Sequence, residues 1–214
     1  TEIWPPLVIE VNDSFLSNPR KNSVEEEDVL RLFHNSSSER VEEGSVGIGL
    51  GLQAFGWKGG IGTSSRVLTT GNKQFSLGTL VATNHGNRES GSLTIIVGAD
   101  IPLIPHQIKQ IASRLVLCLP EACKRNCSDS ITCFIFSTAN PMSMEKEGPP
   151  VFEYLMSDDS LIERMIQAAT DAVKEAIINS LRKASPVEGR LGRRVETIPE
   201  IELKKLIKEF EKSF

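Results

Sequence analysis

Two apolar segments in the middle of the chain constrain its fold most. Residues 64–68 and 75–82 have the composition of β-strands, and Thr70-Gly71-Asn72 between them has the composition of a tight turn. Strands joined by so short a connection pair antiparallel, because a parallel pair needs a long crossover. A third apolar segment, residues 93–97, follows closely. The sequence therefore predicts a sheet in this half of the chain.

The segments before this hairpin are less regular. Residues 7–9 follow Pro5-Pro6 and are predicted to form a strand, and the glycine-rich stretch 44–62 is predicted to form a pair of strands. The glycines do not match a phosphate-binding loop, because Trp57 rather than a lysine follows Gly56. Nucleotide binding is therefore not expected.

Four other segments of the chain have helical patterns. Ser23 and Glu26 form a capping-box pattern at the start of a first helix. Apolar residues recur at helical spacing over 107–117, 161–181 and 201–210, and residues 131–136 have the composition of another buried strand. Strands come first and helices mostly follow, so the fold class is α+β rather than alternating βαβ.

Composition excludes several classes of function. The 214 residues carry a net charge of −4 and are 39% hydrophobic, so no basic surface points to nucleic acid or to an anionic membrane. The apolar runs are too short to span a bilayer, and the first residues lack the pattern of a signal peptide. We therefore expect a cytoplasmic protein. The chain begins with Thr1 rather than Met, which indicates processing or a piece of a longer chain.

The four cysteines give a weak metal signal. They lie at positions 118, 123, 127 and 133, and no two of them form a CxxC pair. Reduced structural thiols are favoured over a metal site, and a single disulfide is the alternative in an oxidising compartment. No cofactor is expected.

The dipeptide Gly91-Ser92 lies where a polar loop meets the apolar strand at residues 93–97. Catalytic serines are often placed in this way, but so are serines without a catalytic role, and position alone does not decide between them. A Ser-His-Asp triad would need His34, His85 or His106, each of which is more typical of a structural role. A second route needs no histidine. If the chain is cut before Ser92, the new α-amino group, with an ordinary pKa of about 8, can serve as the general base. A preceding glycine suits the strained geometry of an N→O acyl shift.

Several motifs around this dipeptide resemble those of one enzyme family. The chain resembles the DmpA/BapA family, the L-aminopeptidase D-Ala-esterase/amidases and β-peptidyl aminopeptidases, over nearly its whole length. The motifs are NDSFLSN (12–18), GWKGGIGTSSR (56–66), ATNHG (82–86), GSLTIIVGADIPLIPHQIKQIASR (91–114), FSTAN (136–140), EAIINSL (175–181) and RVETIPEIELKKLI (194–207).

The resemblance implies a four-layer αββα sandwich similar to that of N-terminal-nucleophile hydrolases. It implies self-cleavage between Gly91 and Ser92 into chains 1–91 and 92–214, which stay associated. Ser92 is then the nucleophile, Asn84 helps to bind the oxyanion, and Glu10 contacts the free amine of the substrate. The implied function is a self-processing serine aminopeptidase acting on small peptides, amides or esters, without nucleic-acid or membrane partners and assembled as a homo-oligomer.

The sequence departs from the family pattern in three places. Ser128 matches a family serine that orients the nucleophile, but Ser130 occupies the acidic position that follows. Asp129 lies one residue early and is the candidate for the acidic catalytic role, which it would take after a β-bulge. The linker before Gly91 is short. The chain also begins inside the family's domain, so we expect either a fragment or divergent copy, or a missing N-terminal portion that is a separate polypeptide. Two alternatives therefore stay open: a catalytically impaired relative with a binding or assembly role, and an acyltransferase of related fold, which would carry threonine at position 92.

Overall fold

A computed structural model describes residues 7–21, 24–86, 91–119, 123, 130–141, 152–154 and 159–212. The strands are β1 (Gln53–Ala54), β2 (Trp57–Lys58), β3 (Ile61–Thr70), β4 (Lys73–Asn84), β5 (Ser92–Ala99), β6 (Ser130–Ser137), β7 (Val187–Glu188) and β8 (Arg194–Val195). The α-helices are α1 (Glu26–His34), α2 (Pro105–Leu117), α3 (Asp159–Arg182) and α4 (Glu200–Glu211).

A mixed sheet with the strand order β3-β4-β5-β6 forms the centre of the molecule. Strands β3, β4 and β5 pair antiparallel, whereas β5 and β6 pair parallel. Thr70 pairs with Lys73 across the turn, and Gly71 adopts a φ of +57°, which explains the glycine there. The predicted hairpin is confirmed, as are the strands predicted at residues 93–97 and 131–136.

One face of the sheet carries the hydrophobic core. Alternate residues of β5, namely Leu93, Ile95 and Val97, are buried in one cluster with apolar side chains of α2, α3 and α4. Each such side chain contributes about 1.5–3 kcal/mol by its removal from water. Helix α3 packs closely on β3, where a Cβ at position 62 would lie 1.9 Å from the carbonyl oxygen of Ala176. Gly62 is therefore required by the packing. The helices predicted over residues 107–117, 161–181 and 201–210 are confirmed.

The opposite face of the sheet is also apolar. Period-two alternation places Leu80 of β4, Ile96 of β5, and Phe134 and Phe136 of β6 on this face. The two phenylalanines are 36% and 40% exposed. The described residues thus form one α-layer and one β-layer of the predicted sandwich, and the α+β class is confirmed.

Three local predictions need correction. Residues 7–9 are not a strand, because an apolar run forms one only where a neighbouring strand offers backbone partners. The glycine-rich stretch does contain a pair of strands, β1 and β2, but both are only two residues long, and residues Gly47–Gly51 form a 3₁₀ turn instead of a strand. Helix α1 begins at Glu26, where the Asp28 carboxylate accepts a hydrogen bond from the Glu25 amide at 3.0 Å. The predicted cap, Ser23, lies outside the described residues.

None of the helices that the structure describes is both long enough and apolar enough to cross a membrane.

Candidate active site

Ser92 is the first residue of β5 and lies between two neighbouring strands. The sheet register places it directly opposite Asn84 of β4 on one side and Ser130 of β6 on the other. The three side chains share one face of the sheet, because paired residues point the same way. The Asn84 Nδ2 atom lies 3.5 Å from the Ser92 Oγ atom, at the long limit of a hydrogen bond.

The Asn84 side chain is held from both ends of its amide. Its Oδ1 atom accepts a hydrogen bond from the Gln53 amide at 3.3 Å, and its Nδ2 atom donates to the carbonyl oxygen of Asn12 at 2.7 Å. A primary amide has two N–H donors, so the second one is directed towards Ser92. These contacts fix the orientation of the amide before any substrate arrives.

A cavity of about 890 Å³ opens in front of Ser92. The residues that line it come from the N-terminal segment, the 3₁₀ turn and the adjoining ends of four strands: Glu10, Val11, Asn12, Ser14, Phe15, Pro19, Gly51, Gln53, Asn84, Gly86, Gly91, Ser92 and Ser130. Of these described lining residues, Glu10 alone carries a charge. A single carboxylate in the cavity suits a cationic group such as a substrate ammonium.

The peptide bond between Gly91 and Ser92 is pressed against the end of β4. A Cβ at position 91 would lie 2.4 Å from the carbonyl carbon and 2.5 Å from the Cα of His85, and 2.6 Å from the carbonyl oxygen of Asn84. All three are backbone atoms, which cannot rotate away. Position 91 therefore accepts only glycine without displacing the bond that precedes Ser92.

The histidines do not complete a triad. His85 is fully buried and stacks on Phe55 with ring centroids 4.4 Å apart. Its ring nitrogens find no hydrogen-bond partner among the described residues, and burial lowers its pKa to about 3. His34 and His106 are exposed, and neither lines the cavity. None of the three histidines is therefore placed to act as a base for Ser92.

The element predicted to orient the nucleophile is described only at Ser130. Ser128 and Asp129 lie outside the described residues. Ser130 begins β6, pairs with Ser92 and lines the cavity, so a residue with a hydroxyl group rather than a carboxylate stands at this point of the sheet.

The three cysteines that the structure describes do not line the cavity. Cys118 is exposed, Cys123 is buried in the core, and Cys133 is half-buried, where burial raises its pKa to about 11. The part of the chain that is described holds no cluster of three or more metal-ligating side chains. Cys127 lies outside that part.

Two supports of the site are not identified by the sequence reasoning. The amide of Gln53 and the carbonyl oxygen of Asn12 hold Asn84, but both are backbone groups, and any residue type supplies them. Asn12 does lie within the NDSFLSN motif, whereas Gln53 gives no signal at all. Only the folded chain shows that the two segments meet at Asn84.

A sequence model of peptidase family S58 matches residues 1–195 of the chain. The chain belongs to peptidase family S58. Its S58 relatives include the β-peptidyl aminopeptidase BapA of Sphingosinicella microcystinivorans, which is 30% identical over 97% of this chain and 63% of its own length. The chain thus spans somewhat less than two thirds of this relative.

Solved structures give the same assignment. The PH0078 protein from Pyrococcus horikoshii OT3 matches with a TM-score of 0.82 and 31% identity, over 96% of this chain and 63% of its own. The L-aminopeptidase D-Ala-esterase/amidase from Ochrobactrum anthropi matches with a TM-score of 0.72 and 29% identity, over 90% and 59%. The latter is described as a prototype of the serine aminopeptidases and a variant of the Ntn hydrolase fold. The resemblance to the DmpA/BapA family and the predicted fold are therefore confirmed.

Proposed function

We propose that this S58 chain belongs to a self-processing serine aminopeptidase that releases the N-terminal residue of small peptides, amides or esters. The observation that carries the proposal is the position of Ser92. It begins a buried strand, its hydroxyl lies beside the fixed amide of Asn84, and both open into a cavity that contains the Glu10 carboxylate.

The first reaction would be the cleavage of the chain itself. The Ser92 Oγ atom attacks the carbonyl carbon of Gly91, the hydroxyl proton moves to the departing amide nitrogen, and an ester replaces the peptide bond. Water then hydrolyses the ester, giving a Gly91 carboxylate and a Ser92 with a free α-amino group. All atoms and protons in these two steps come from the chain and from one water molecule.

The freed amine would then serve substrate hydrolysis. It takes the hydroxyl proton as Ser92 attacks the substrate carbonyl, and it returns that proton to the leaving amine, alcohol or amide nitrogen. The second N–H of Asn84 donates to the developing oxyanion. Glu10 binds the substrate ammonium, which restricts cleavage to the first residue. Water releases the acyl group from Ser92.

The sheet explains how two cut chains would stay together. Strand β4 belongs to the piece that ends at Gly91, and β5 to the piece that begins at Ser92. The two strands pair from Leu77 and Ala99 to Asn84 and Ser92. Cutting one peptide bond leaves this ladder and the core beneath it in place.

Hydrolysis of aminoacyl p-nitroanilides by the full-length protein tests the proposal. We expect release of p-nitroaniline by the wild type, none by Ser92→Ala, and none from an N-acetylated substrate. Ser14→Ala is a matched control, because Ser14 lines the same cavity and is assigned no role. Equal rates for the wild type and Ser92→Ala would refute the proposal.

Ser130 favours a second candidate, a relative with impaired catalysis. Its hydroxyl stands opposite Ser92, where the family pattern has a carboxylate that orients the nucleophile and its amine. If the carboxylate is needed, Ser130→Asp should increase turnover of the anilide substrate, whereas Ser130→Asn should not. A serine nucleophile favours either candidate over an acyltransferase with a threonine. The homo-oligomeric state and the cytoplasmic location stay predictions.

A further inference from the structure

Among the described residues, Lys58 is the largest with a completely buried side chain, although its ammonium group carries a charge. The Nζ atom donates to three backbone carbonyl oxygens, those of Gly49 at 2.5 Å, Gly59 at 2.7 Å and Leu52 at 3.0 Å. A lysine ammonium has three N–H donors, so its hydrogen-bonding capacity is filled. Burial of a charge is tolerated only when the charge is partnered in this way.

Two of these carbonyls belong to the 3₁₀ turn and its end, next to residues Gly51 and Gln53 that line the candidate active site. Gly49 lies in the 3₁₀ turn, and Leu52 caps its end. Within this turn, Gly51 lines the cavity and packs so closely on Asp13 that a Cβ at position 51 would lie 2.5 Å from the Asp13 Cβ. The lysine thus fixes a turn that supports the N-terminal segment from behind.

The same turn supports the oxyanion donor from two sides. Gln53, whose amide holds the Asn84 Oδ1 atom, directly follows Leu52, whose carbonyl oxygen is bound by Lys58. Asn12, whose carbonyl oxygen holds the Asn84 Nδ2 atom, directly precedes Asp13, on which Gly51 packs. Glu10 lies in that N-terminal segment as well. Loss of the lysine would therefore loosen both contacts of Asn84 together.

We propose that Lys58 is a positioning residue, which organises the turn at residues 47–52 and through it the alignment of Asn84 and Glu10 with Ser92. This inference rests on the proposed function for its effect on turnover, but the organisation of the turn is independent of any activity. If Lys58 only stabilised the core, its replacement would destabilise the whole sheet. If Lys58 is a positioning residue, its replacement disturbs the turn and the site while the sheet stays intact.

Two variants in the full-length protein separate these roles. Lys58→Met keeps the length of the side chain and removes the donors, and Lys73→Met makes the same change at an exposed position of β4. Because a displacement of about 1 Å in an active site can cost about 10²-fold in rate, we expect kcat/KM to fall about a hundredfold in Lys58→Met. Both kcat and KM should change, since Asn84 and Glu10 are both affected. Lys73→Met should match the wild type.

Chemical rescue tests the three-carbonyl site directly. Lys58→Ala leaves space for n-propylammonium, which replaces the missing atoms, and we expect it to restore turnover in a saturable manner. The uncharged 1-propanol and sodium chloride at equal concentration should not restore it. Lys58→Ala prepared in propylammonium also provides folded material if Lys58→Met does not fold.

Amide hydrogen exchange provides a readout that needs no activity. In Lys58→Met the amides of Gly49, Leu52 and Gly59 should exchange faster, while the β4–β5 ladder stays protected. Unchanged exchange in the turn, or unchanged kcat/KM in an active protein, would overturn the inference. Faster exchange throughout the sheet would overturn it too, because the lysine would then support the whole fold. Absence of turnover in the wild type would refute the proposed function alone.

Discussion

Gly91→Ala is the substitution that most sharply tests the geometry of self-cleavage. The new Cβ would lie 2.4 Å from the carbonyl carbon of His85, whereas ordinary van der Waals contact begins near 3.4 Å. The scissile bond must therefore move by roughly 1 Å, the difference between the two distances. A displacement of that size from a reacting geometry costs about 10²-fold in rate, even though Ser92 itself is unchanged.

The assay follows the fraction of uncut chain with time after synthesis, by denaturing gel and intact mass. We expect Gly91→Ala to accumulate as the precursor while the wild type is cut. Gly78→Ala is the matched control, because a Cβ at position 78 meets no atom within 4 Å and the glycine lies in the same sheet. Cleavage of Gly91→Ala at the wild-type rate would refute the claim that backbone packing fixes this bond for attack.

Three further substitutions test separate parts of the account. Asn84→Ala should lower kcat by about 10²–10³-fold with a small change in KM, because it removes an oxyanion donor; unchanged single-turnover acylation would contradict that role. Glu10→Gln should raise KM for substrates with a free amine by about 10- to 100-fold, because a hydrogen bond to a charged group contributes about 1.5–3 kcal/mol; an equal effect on a substrate without the amine would rule out ammonium binding. Burial lowers the pKa of His85 from 6.5 to about 3, so between these pH values the unfolded chain binds more protons than the folded chain. The free energy of unfolding of the wild type therefore decreases as the pH falls through this range. In His85→Phe it should decrease less steeply. Urea unfolding from pH 7 to 3 should give a wild-type slope up to about 1.4 kcal/mol per pH unit steeper than that of His85→Phe, and parallel curves would contradict the assignment.

The parts of the fold that follow from the sequence are those set by local patterns. Alternating residues and a Gly71 turn define the β3–β4 hairpin, and the apolar stripe of α3 defines the face that packs on it. Residues 7–9 show the limit of this reasoning. Their apolar character is real, but whether a backbone partner lies beside them is a property of the tertiary structure.

The candidate site likewise has a part that the sequence predicts and a part that only the structure shows. The motifs place Ser92, Asn84 and Glu10 in one family pattern, and the structure brings all three to one cavity. The contacts that hold these residues could not be predicted. Asn84 is fixed by backbone groups of Gln53 and Asn12, and the identity of the side chain at those two positions does not reveal such contacts. Lys58 likewise appears in sequence as a charged residue beside two glycines. Only the folded turn makes three carbonyl oxygens converge on its ammonium group.

The intact mass of the purified full-length protein shows whether Ser92 becomes an N-terminal residue. We expect two pieces for the wild type, one ending at Gly91 and one beginning at Ser92, with masses that together exceed the mass of the precursor by one water. We expect only the uncut chain for Ser92→Ala. A wild-type protein that stays in one piece after prolonged incubation, while hydrolysing its substrates, would contradict the account.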